Sequence, residues 1–297
     1  MIQLGLIGYP LGHSLSPAIH SAALHSCGLD GSYSRYPVQP DDKQSLKELL
    51  ESVRSGEIKG LNVTIPHKQN VIEFLDELTP TAKTIGAVNT IYSRAGKLIG
   101  DNTDARGFIT DLKRAFNFSS FHLPPSALVL GAGGSARAVA FALVNDGWNV
   151  SLTARRMEQA HQLADAFTTY QLPVTSYSFS TMAANLQPLV SGVSLIINTT
   201  PIGMAPNIDQ SPWPEGLSLP PQAAVYDLVY NPRETKFVSD ARRQGLQATT
   251  GLGMLIEQAA LSFEIWTGRA PSRELLLSAI DQSPTLAPGA STGVPNL

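Results

Sequence analysis

One stretch of the sequence, residues 127–152, restricts the fold more than any other. An apolar strand at 127–130 is followed by a glycine-rich turn, a helical segment at 137–144 and a second strand at 148–152. The residues of the turn are Gly131, Ala132, Gly133, Gly134 and Ser135, and the small residue Ala136 follows them. Glycines allow the backbone to approach a pyrophosphate, and the N–H groups at the start of the helix donate to it. The stretch therefore predicts a Rossmann-like unit that binds a dinucleotide.

The end of the second strand indicates which dinucleotide is preferred. Domains that bind NAD usually carry an acidic residue at this point, which accepts a hydrogen bond from the 2′-hydroxyl of the ribose. This sequence has Ala154 there, followed by Arg155 and Arg156. Guanidinium groups suit a 2′-phosphate. We therefore expect NADP(H) as the cofactor.

The first hundred residues alternate between apolar strands and helical segments. This alternation favours an α/β domain with a mostly parallel sheet. Strands are expected at 2–8, near 33–38 and from residue 60, and residues 69–85 are expected to be helical. Ligand sites in such sheets lie at the carboxyl ends of the strands.

Polar side chains follow two of these strands. Asn62 and Thr64 alternate with apolar residues, so they should point to the same face, and Lys68 comes just after the strand. An amide, a hydroxyl and an ammonium suit a small ligand that is anionic or rich in hydroxyls, although polar decoration of a strand end is the alternative interpretation. Ser14 and Ser16 lie in the loop after the first strand, where Ser16 is expected to cap the following helix.

An acidic segment, residues 101–104, opens a predicted helix. Asp104 or Thr103 can serve as an ordinary helix cap. Because the segment also contains Asp101, at least one of the two carboxylates is not needed as a cap and is available for a functional role. His67 lies beside Lys68, and we expect it to be exposed to solvent rather than catalytic.

Composition excludes several classes of function. The chain has 297 residues, of which 43% are hydrophobic and 15% charged, with a net charge of −3, so neither nucleic acid nor an acidic membrane surface is an expected partner. The single cysteine excludes an internal disulfide and a cysteine-based metal cluster, and no metal is expected. No long apolar run or signal sequence is evident, so a cytoplasmic location is expected.

Eight segments, taken together, resemble the shikimate dehydrogenase family. In chain order they are GHSLSP, NVTIPHK, GAVNT, GDNTD, GAGGSARA, NTTPIGM, DLVYNP and GLGMLIEQA. The resemblance covers nearly the whole chain, and it implies the NADPH-dependent, reversible reduction of 3-dehydroshikimate to shikimate. That reaction belongs to the biosynthesis of chorismate and the aromatic amino acids.

The resemblance also implies roles for individual residues. Lys68 would be the catalytic acid/base and Asp104 its partner. The residues that would contact the substrate are Ser14, Ser16, Asn62, Thr64, Lys68, Asn89, Asp104, Tyr230 and Gln258. The residues that would line the cofactor site are Gly131, Ala132, Gly133, Gly134, Ser135, Arg155, Arg156, Leu228 and Gly251.

The expected architecture is two α/β domains that face each other across a cleft. Residues 1–104 with 252–282 would form the substrate-binding catalytic domain, because the helix from Met254 has an apolar face that should pack back on the first sheet. Residues 105–251 would form the Rossmann-like domain, and the Pro/Ser/Thr/Gly-rich residues 283–297 predict a disordered tail. A monomer or a homodimer is compatible with the sequence.

The sequence departs from the family at the site for the 2′-phosphate. The family often shows Asn-Arg-Thr there with another arginine three residues after the threonine, whereas this chain has Ala154-Arg155-Arg156 and Gln159. This departure concerns the strength of the preference for NADP more than its direction. Two other functions are kept open beside the main interpretation. One is a quinate/shikimate dehydrogenase with relaxed substrate or cofactor use. The other is a ligand-sensing module without catalytic activity, although such a module should have lost Lys68 or Asp104.

Overall fold

The computed structural model describes residues 1–117, 125–169, 174–178 and 192–282. The strands of these ranges form two six-stranded sheets, one built from residues 2–101 and the other from residues 126–250. The predicted tail from residue 283 lies outside the described residues. No helix of the described ranges is both long and apolar enough to cross a membrane.

The first sheet is mixed. Its strands are β1 (Ile2–Gly8), β2 (Gly31–Pro37), β3 (Gly60–Val63), β4 (Glu77–Leu78), β5 (Thr90–Arg94) and β6 (Lys97–Asp101). The strand order is β2-β1-β3-β5-β6-β4. Strand β1 pairs in parallel with β2 and β3, whereas β5 is antiparallel to β3 and β6. The hairpin between β5 and β6 turns at Ala95 and Gly96, both with positive φ, which suits a tight two-residue turn.

The second sheet is entirely parallel. Its strands are β7 (Ser126–Leu130), β8 (Asn149–Ala154), β9 (Val174–Ser178), β10 (Leu195–Asn198), β11 (Ala224–Asp227) and β12 (Ala248–Thr250). They lie in the order β12-β11-β10-β7-β8-β9. This is the doubly wound order, in which the strand sequence reverses direction between β7 and β10 and leaves a crevice for a ligand there. The predicted Rossmann-like unit is confirmed.

Helices cover both sheets. They are α1 (Ser16–Ser26), α2 (Lys43–Arg54), α3 (His67–Asn70), α4 (Pro80–Ile85), α5 (Asp104–Ala115), α6 (Gly134–Asn145), α7 (Met157–Thr168), α8 (Lys236–Arg243), α9 (Leu252–Thr267) and α10 (Arg273–Asp281). The continuous helix expected over residues 69–85 is wrong. The segment is divided into α3, one 3-10 turn at 71–74, the short strand β4 and α4, because Pro80 cannot donate to a preceding helical turn and begins a new helix after Thr79.

Helix α9 returns to the first sheet, as its apolar face predicts. Ile256, Phe263 and Trp266 are buried in one cluster with residues of β1 and α1. The indole Nε1 of Trp266 donates to the carbonyl oxygen of Ile91 in β5 at 3.1 Å. Gly60 in β3 has no room for a side chain, since an added Cβ would overlap the indole ring. The strand therefore needs glycine at this position for α9 to lie against it.

The two sheets meet where α5 packs against α9. The hydroxyl of Tyr226, in β11, donates to Asp111 Oδ2, in α5, at 2.6 Å. The Asp111 carboxylate also lies against Gly253 at the start of α9, where an added Cβ would overlap it, and burial raises the pKa of both Asp111 and Tyr226. The buried carboxylate of α5 thus lies between β11 of the second sheet and the start of α9, the helix that returns to the first sheet.

Candidate active site

Lys68 and Asp104 form a shielded ion pair. Lys68 lies in α3, just after the end of β3, and its Nζ donates to Asp104 Oδ2 at 2.6 Å. Their side chains are only 12% and 6% exposed, so solvent screens the pair weakly. Asp104 lies in the first turn of α5, where the helix N-terminus favours a negative charge.

The lysine also reaches across the cleft to the glycine-rich turn. Its Nζ donates to Ser135 Oγ at 3.3 Å. Gly134 lies so close that an added Cβ would stand 3.0 Å from the Cβ of Lys68. An ammonium has three protons, and these two contacts leave one of them for a further acceptor. The ammonium therefore stands between the polar end of the first sheet and the start of α6.

Asn89 holds the carboxylate of Asp104 in place. Its Nδ2 donates to Asp104 Oδ1 at 2.8 Å and to Thr103 Oγ1 at 2.9 Å. Its Oδ1 accepts from the backbone N–H of Thr103 at 2.8 Å. Gln258 Oε1 lies 3.3 Å from the same amide nitrogen, which places Gln258 beside the pair. Three of the predicted substrate residues, Asn89, Asp104 and Gln258, are thus brought together.

Asn62 is buried and its amide is bonded to protein atoms. Tyr33 donates its hydroxyl to Asn62 Oδ1 at 2.9 Å, and Asn62 Nδ2 donates to Ser262 Oγ at 3.0 Å. Thr64, two residues later, is half-buried and packs against Gly8. The structure places both side chains at the end of β3, and their contact with substrate stays a prediction.

Ser262 also belongs to the hydrogen-bonded network around Asn62 and Asn89, and the sequence did not predict it. Its fully buried Oγ lies 2.7 Å from Thr90 Oγ1 and 3.0 Å from Thr103 Oγ1, in addition to its contact with Asn62. The spacing offered a signal, because residue 262 lies one helical turn after Gln258 and so on the same face of α9. Tyr33, in β2, was missed as well.

The two serines of the first loop have different environments. Ser16 is the first residue of α1 and is buried, whereas the half-buried Ser14 accepts from the backbone N–H of Ser16 at 3.3 Å. The prediction that Ser16 caps α1 is wrong. Leu15 holds the N-cap position, and it is the side chain of Ser14 that reaches the helix start. Tyr230 packs against the same cluster as α1 and α9, and burial raises its pKa.

His67 is buried rather than exposed as expected. Its Nε2 lies 2.7 Å from the carbonyl oxygen of Val38, and only 1% of the residue is exposed. The ring therefore links the start of α3 to the chain just after β2. This contact explains a histidine beside the lysine without a role in proton transfer.

The glycine-rich turn fits a dinucleotide. Gly131 has φ of 121°, and an added Cβ would overlap Thr199 Oγ1 in the turn after β10, so this position requires glycine. Gly133 comes just before α6, and an added Cβ there would meet no atom within 4 Å, which leaves open space in front of the helix N-terminus. Ala132 is buried beneath the turn.

The remaining cofactor residues surround the same crevice. Arg155 and Arg156 follow β8, both exposed, and neither makes an ion pair within the ranges that the structure describes. Leu228 and Gly251 lie at the ends of β11 and β12, where an added Cβ on Gly251 would overlap the carbonyl oxygen of Leu228. These positions suit a phosphate beside the arginines and a cofactor that crosses the strand ends, and the individual contacts stay predictions.

Comparison with known proteins adds a family to this geometry. Residues 6–91 match the family model described as the shikimate dehydrogenase substrate binding domain, and residues 251–280 match the shikimate 5'-dehydrogenase C-terminal domain. The chain is 43% identical over 267 residues to the shikimate dehydrogenase (NADP(+)) of Desulforamulus reducens, with 89% of each chain covered.

Solved structures are similar along the whole described fold. A crystal structure of a shikimate dehydrogenase in complex with NADP+ is 38% identical, with a TM-score of 0.83 and 95% of each chain covered. The enzyme of Thermus thermophilus, in complex with NADP(H) and shikimate, is 37% identical with a TM-score of 0.80, and the match covers 95% of this chain and 99% of that one.

Proposed function

The chain belongs to the shikimate dehydrogenase family, and we propose that it catalyses the reversible reduction of 3-dehydroshikimate to shikimate with NADPH. This is an oxidoreductase step of chorismate and aromatic amino acid biosynthesis. The observation that carries the proposal is the shielded pair of Lys68 and Asp104, whose ammonium also contacts Ser135 of the glycine-rich turn. Substrate-side and cofactor-side groups thus converge on one proton donor.

Lys68 acts as the acid/base in this proposal. When bound, NADPH supplies a hydride to the ketone carbon, and the oxygen of that ketone then needs a proton. The ammonium of Lys68 stabilises the developing negative charge and delivers a proton to the oxygen, and in the reverse direction the amine takes the proton back. The low exposure of the pair strengthens this electrostatic effect.

Asp104 keeps the ammonium oriented. One carboxylate oxygen of Asp104 accepts from Lys68 and the other accepts from Asn89. These bonds restrict the rotation of both the Asp104 and the Lys68 side chains. A fixed donor costs less reorganisation in the transition state than a mobile one. Asp104 is also placed to accept from a ring hydroxyl of the substrate, which the proposal assigns to it as a second role.

The other polar residues at the carboxyl ends of the first sheet would bind the substrate. Ser14 and Ser16 are proposed to bond its carboxylate. The ring hydroxyls are assigned to Asn62, Thr64, Asn89, Tyr230 and Gln258. Their positions support this: Ser14 and Ser16 follow β1, and Asn62 and Thr64 lie at the end of β3. Asn89 directly precedes β5 and meets Gln258 of α9, and Tyr230 follows β11 and packs against the cluster of α1 and α9.

NADP(H) is the proposed cofactor, held by residues 131–135 and read by Arg155 and Arg156. We also propose the division into a substrate domain, residues 1–104 with 252–282, and a nucleotide domain, residues 105–251. The strand composition of the two sheets and the return of α9 to the first sheet support that division. We further propose that the enzyme is cytoplasmic and acts as a monomer or a homodimer. Light scattering after gel filtration would measure the mass of the particle and so distinguish the two oligomeric states.

Steady-state absorbance of the reduced nicotinamide tests the function. Shikimate and quinate are each tried with NADP and with NAD on one purified sample. Turnover confined to shikimate with NADP is expected. Turnover of quinate, or with NAD, would identify a relaxed quinate/shikimate dehydrogenase, and absence of turnover while NADP still binds would identify a sensing module.

A variant then tests the assigned chemistry. Lys68→Ala should lower kcat by orders of magnitude while NADP binding remains nearly intact, because the side chain acts on the ketone oxygen. Lys83→Ala, on the exposed face of α4, is the matched control and should leave kcat unchanged. A loss of less than about tenfold in Lys68→Ala would show that another group is the acid/base.

A further inference from the structure

Asp227 is a buried carboxylate that the proposed chemistry does not use. It is the last residue of β11 and is 0% exposed. Its Oδ1 accepts from Asn198 Nδ2 at 2.8 Å and from the backbone N–H of Val229 at 3.0 Å. Its Oδ2 accepts from Thr235 Oγ1 at 2.7 Å. Burial of a charge is unfavourable unless hydrogen bonds of this kind compensate for the lost hydration, so the carboxylate and its three donors form one unit.

The first partner, Asn198, controls the turn after the neighbouring strand. It is the last residue of β10, and its Oδ1 accepts from both the backbone N–H and the hydroxyl of Thr200, at 3.0 and 2.7 Å. Its Nδ2 also donates to the carbonyl oxygen of Ile202 at 3.2 Å. The side chain of Asn198 therefore fixes the conformation of residues 199–202, and Asp227 in turn fixes that side chain.

The second partner, Val229, belongs to the turn after β11. Its N–H bond to Asp227 fixes the chain directly after Leu228, whose own N–H donates to the carbonyl oxygen of Asn198 at 2.9 Å. Through Thr235, the carboxylate also reaches the start of α8, since Thr235 Oγ1 accepts from the backbone N–H of Val238 at 3.2 Å. Asp227 is thus the common acceptor for two turns and one helix N-terminus.

Both turns border the crevice of the second sheet. Thr199 fills the space next to Gly131 of the glycine-rich turn, and its hydroxyl donates to the carbonyl oxygen of Leu130 at 2.7 Å. Leu228 in turn fills the space next to Gly251. The carboxyl ends of β7, β10, β11 and β12 are therefore locked to one another through residues that depend on Asp227.

We propose that Asp227 is a positioning residue of the cofactor site, which sets the turns 199–202 and 228–229 at the spacing that NADP(H) requires. This inference rests on the proposed function and extends it to a residue that does not touch the cofactor. Its effect should fall mainly on binding of NADP(H), because the proposed shikimate residues lie on the first sheet and its loops, in α5 or on α9, and only Tyr230 follows the turn 228–229. Burial raises the pKa of Asp227 to about 6, so at neutral pH the carboxylate is the form that accepts the three bonds.

Asp227→Asn is the main variant. It keeps the size of the side chain but replaces one acceptor oxygen by an NH₂ group, so one of the three buried donors loses its partner. Loss of one bond to a charged acceptor should raise the Kd of NADP(H) by about tenfold or more. The Kd of shikimate should rise much less than that of NADP(H), because Tyr230 is the one proposed shikimate residue next to the turn, and kcat at saturating NADP should stay within about twofold. Asp165→Asn, exposed on α7, is the matched control.

Thr235 provides a second, independent pair of variants in case Asp227→Asn does not fold. Thr235→Ser keeps the hydroxyl and should keep the NADP(H) affinity, whereas Thr235→Val removes it and should weaken NADP(H) selectively. A buried side chain with only a packing role would reverse this order, because valine matches the shape of threonine and serine leaves a cavity.

The binding experiment is calorimetric titration of each variant with NADP alone and with shikimate alone, followed by steady-state kinetics. Selective weakening of NADP in Asp227→Asn or Thr235→Val supports the inference. Unchanged NADP affinity, or an equal loss for NADP and shikimate, overturns it. If the unaltered protein itself binds no NADP, it is the proposed function that fails, so the two failures are distinguishable.

Discussion

Replacing His20 by phenylalanine should make the protein less sensitive to acid. His20 lies in α1 and is 0% exposed. Its ring stacks on Tyr33, with ring centroids 4.3 Å apart and planes 2° from parallel, and lies 5.4 Å from the Trp266 ring. Burial lowers the pKa of His20 from 6.5 to about 3, and the nearby Asn62 offsets only part of this effect. The folded protein therefore holds the neutral ring.

The sign and size of the effect follow from this pKa. Because the pKa is lower in the folded state, the unfolded chain binds a proton first, and stability is fully present above pH 6.5 and lost as the pH falls towards 3. Between about pH 7.5 and pH 5 the proton stabilises the unfolded chain by about 2 kcal/mol, and by about 4 kcal/mol at pH 3. Phenylalanine cannot be protonated and keeps an aromatic ring against Tyr33, so this loss should disappear in the variant.

Asp227 acts in the opposite direction but does not obscure the test. Its pKa is raised from 3.8 to about 6, so the folded state binds its proton first and stability rises as the pH falls from 6 towards 3.8. Both the parent protein and His20→Phe carry Asp227. Its contribution therefore cancels in the difference between them.

The assay is urea unfolding followed by tryptophan fluorescence, to which Trp266 beside His20 contributes, at about pH 7.5, 6 and 5. The difference in free energy of unfolding between parent and variant should change by about 2 kcal/mol over this range. His25→Phe, exposed on the same helix, controls for the loss of a histidine in general. Parallel pH profiles for parent and variant, or an NMR titration of His20 near pH 6 in the folded protein, would refute the reasoning.

Three further predictions concern the cofactor site, the polar network and the contact between the sheets. Arg155→Ala should raise the Kd of NADP far more than that of NAD, since the guanidinium reads the 2′-phosphate, and equal losses in calorimetry would contradict this role. Ser262→Ala removes a hydroxyl with several buried partners, so it should lower stability by about 1–3 kcal/mol in urea and also reduce kcat, and unchanged kinetics would separate the hydroxyl from the site. Gly253→Ala places a Cβ on the carboxylate of Asp111 and breaks its bond to Tyr226, so thermal unfolding should occur several degrees lower, by a loss of about 1–3 kcal/mol; an unchanged Tm would mean that the carboxylate moves freely.

The parts of the fold that the sequence predicted are those set by local patterns. The glycine-rich turn at 131–135 predicts the strand before it and the helix after it, because these three elements follow one another directly in a dinucleotide-binding unit. Lys68 was predicted to lie near the carboxyl end of a strand because it follows the alternating apolar and polar residues of that strand directly. The lysine's partner at Asp104 came from the family resemblance, and the structure brings the two side chains together at 2.6 Å.

The parts that were missed depend on contacts between distant segments. Ser262 looks like any small residue of a helix, and it meets Asn62 across 200 positions of sequence. His67 is buried, and its ring contacts the carbonyl oxygen of Val38, which is 29 positions away in the sequence. The antiparallel pairing of β5 with β3 likewise depends on tertiary contacts, since the apolar pattern of β5 suits either strand direction.

The return of α9 to the first sheet has a consequence for the order in which the protein is made. The ribosome releases β1 and α1 early, but the residues that complete their core, among them Ile256, Phe263 and Trp266, follow more than 200 positions later. At about 5–20 residues per second, that is a delay of roughly ten seconds or more. During this interval the nascent chain carries an apolar face that its own missing helix will cover, while the parallel sheet is synthesised in between and can fold first. Chaperones that bind exposed apolar segments on the ribosome should therefore engage the beginning of this chain until residue 267 has emerged.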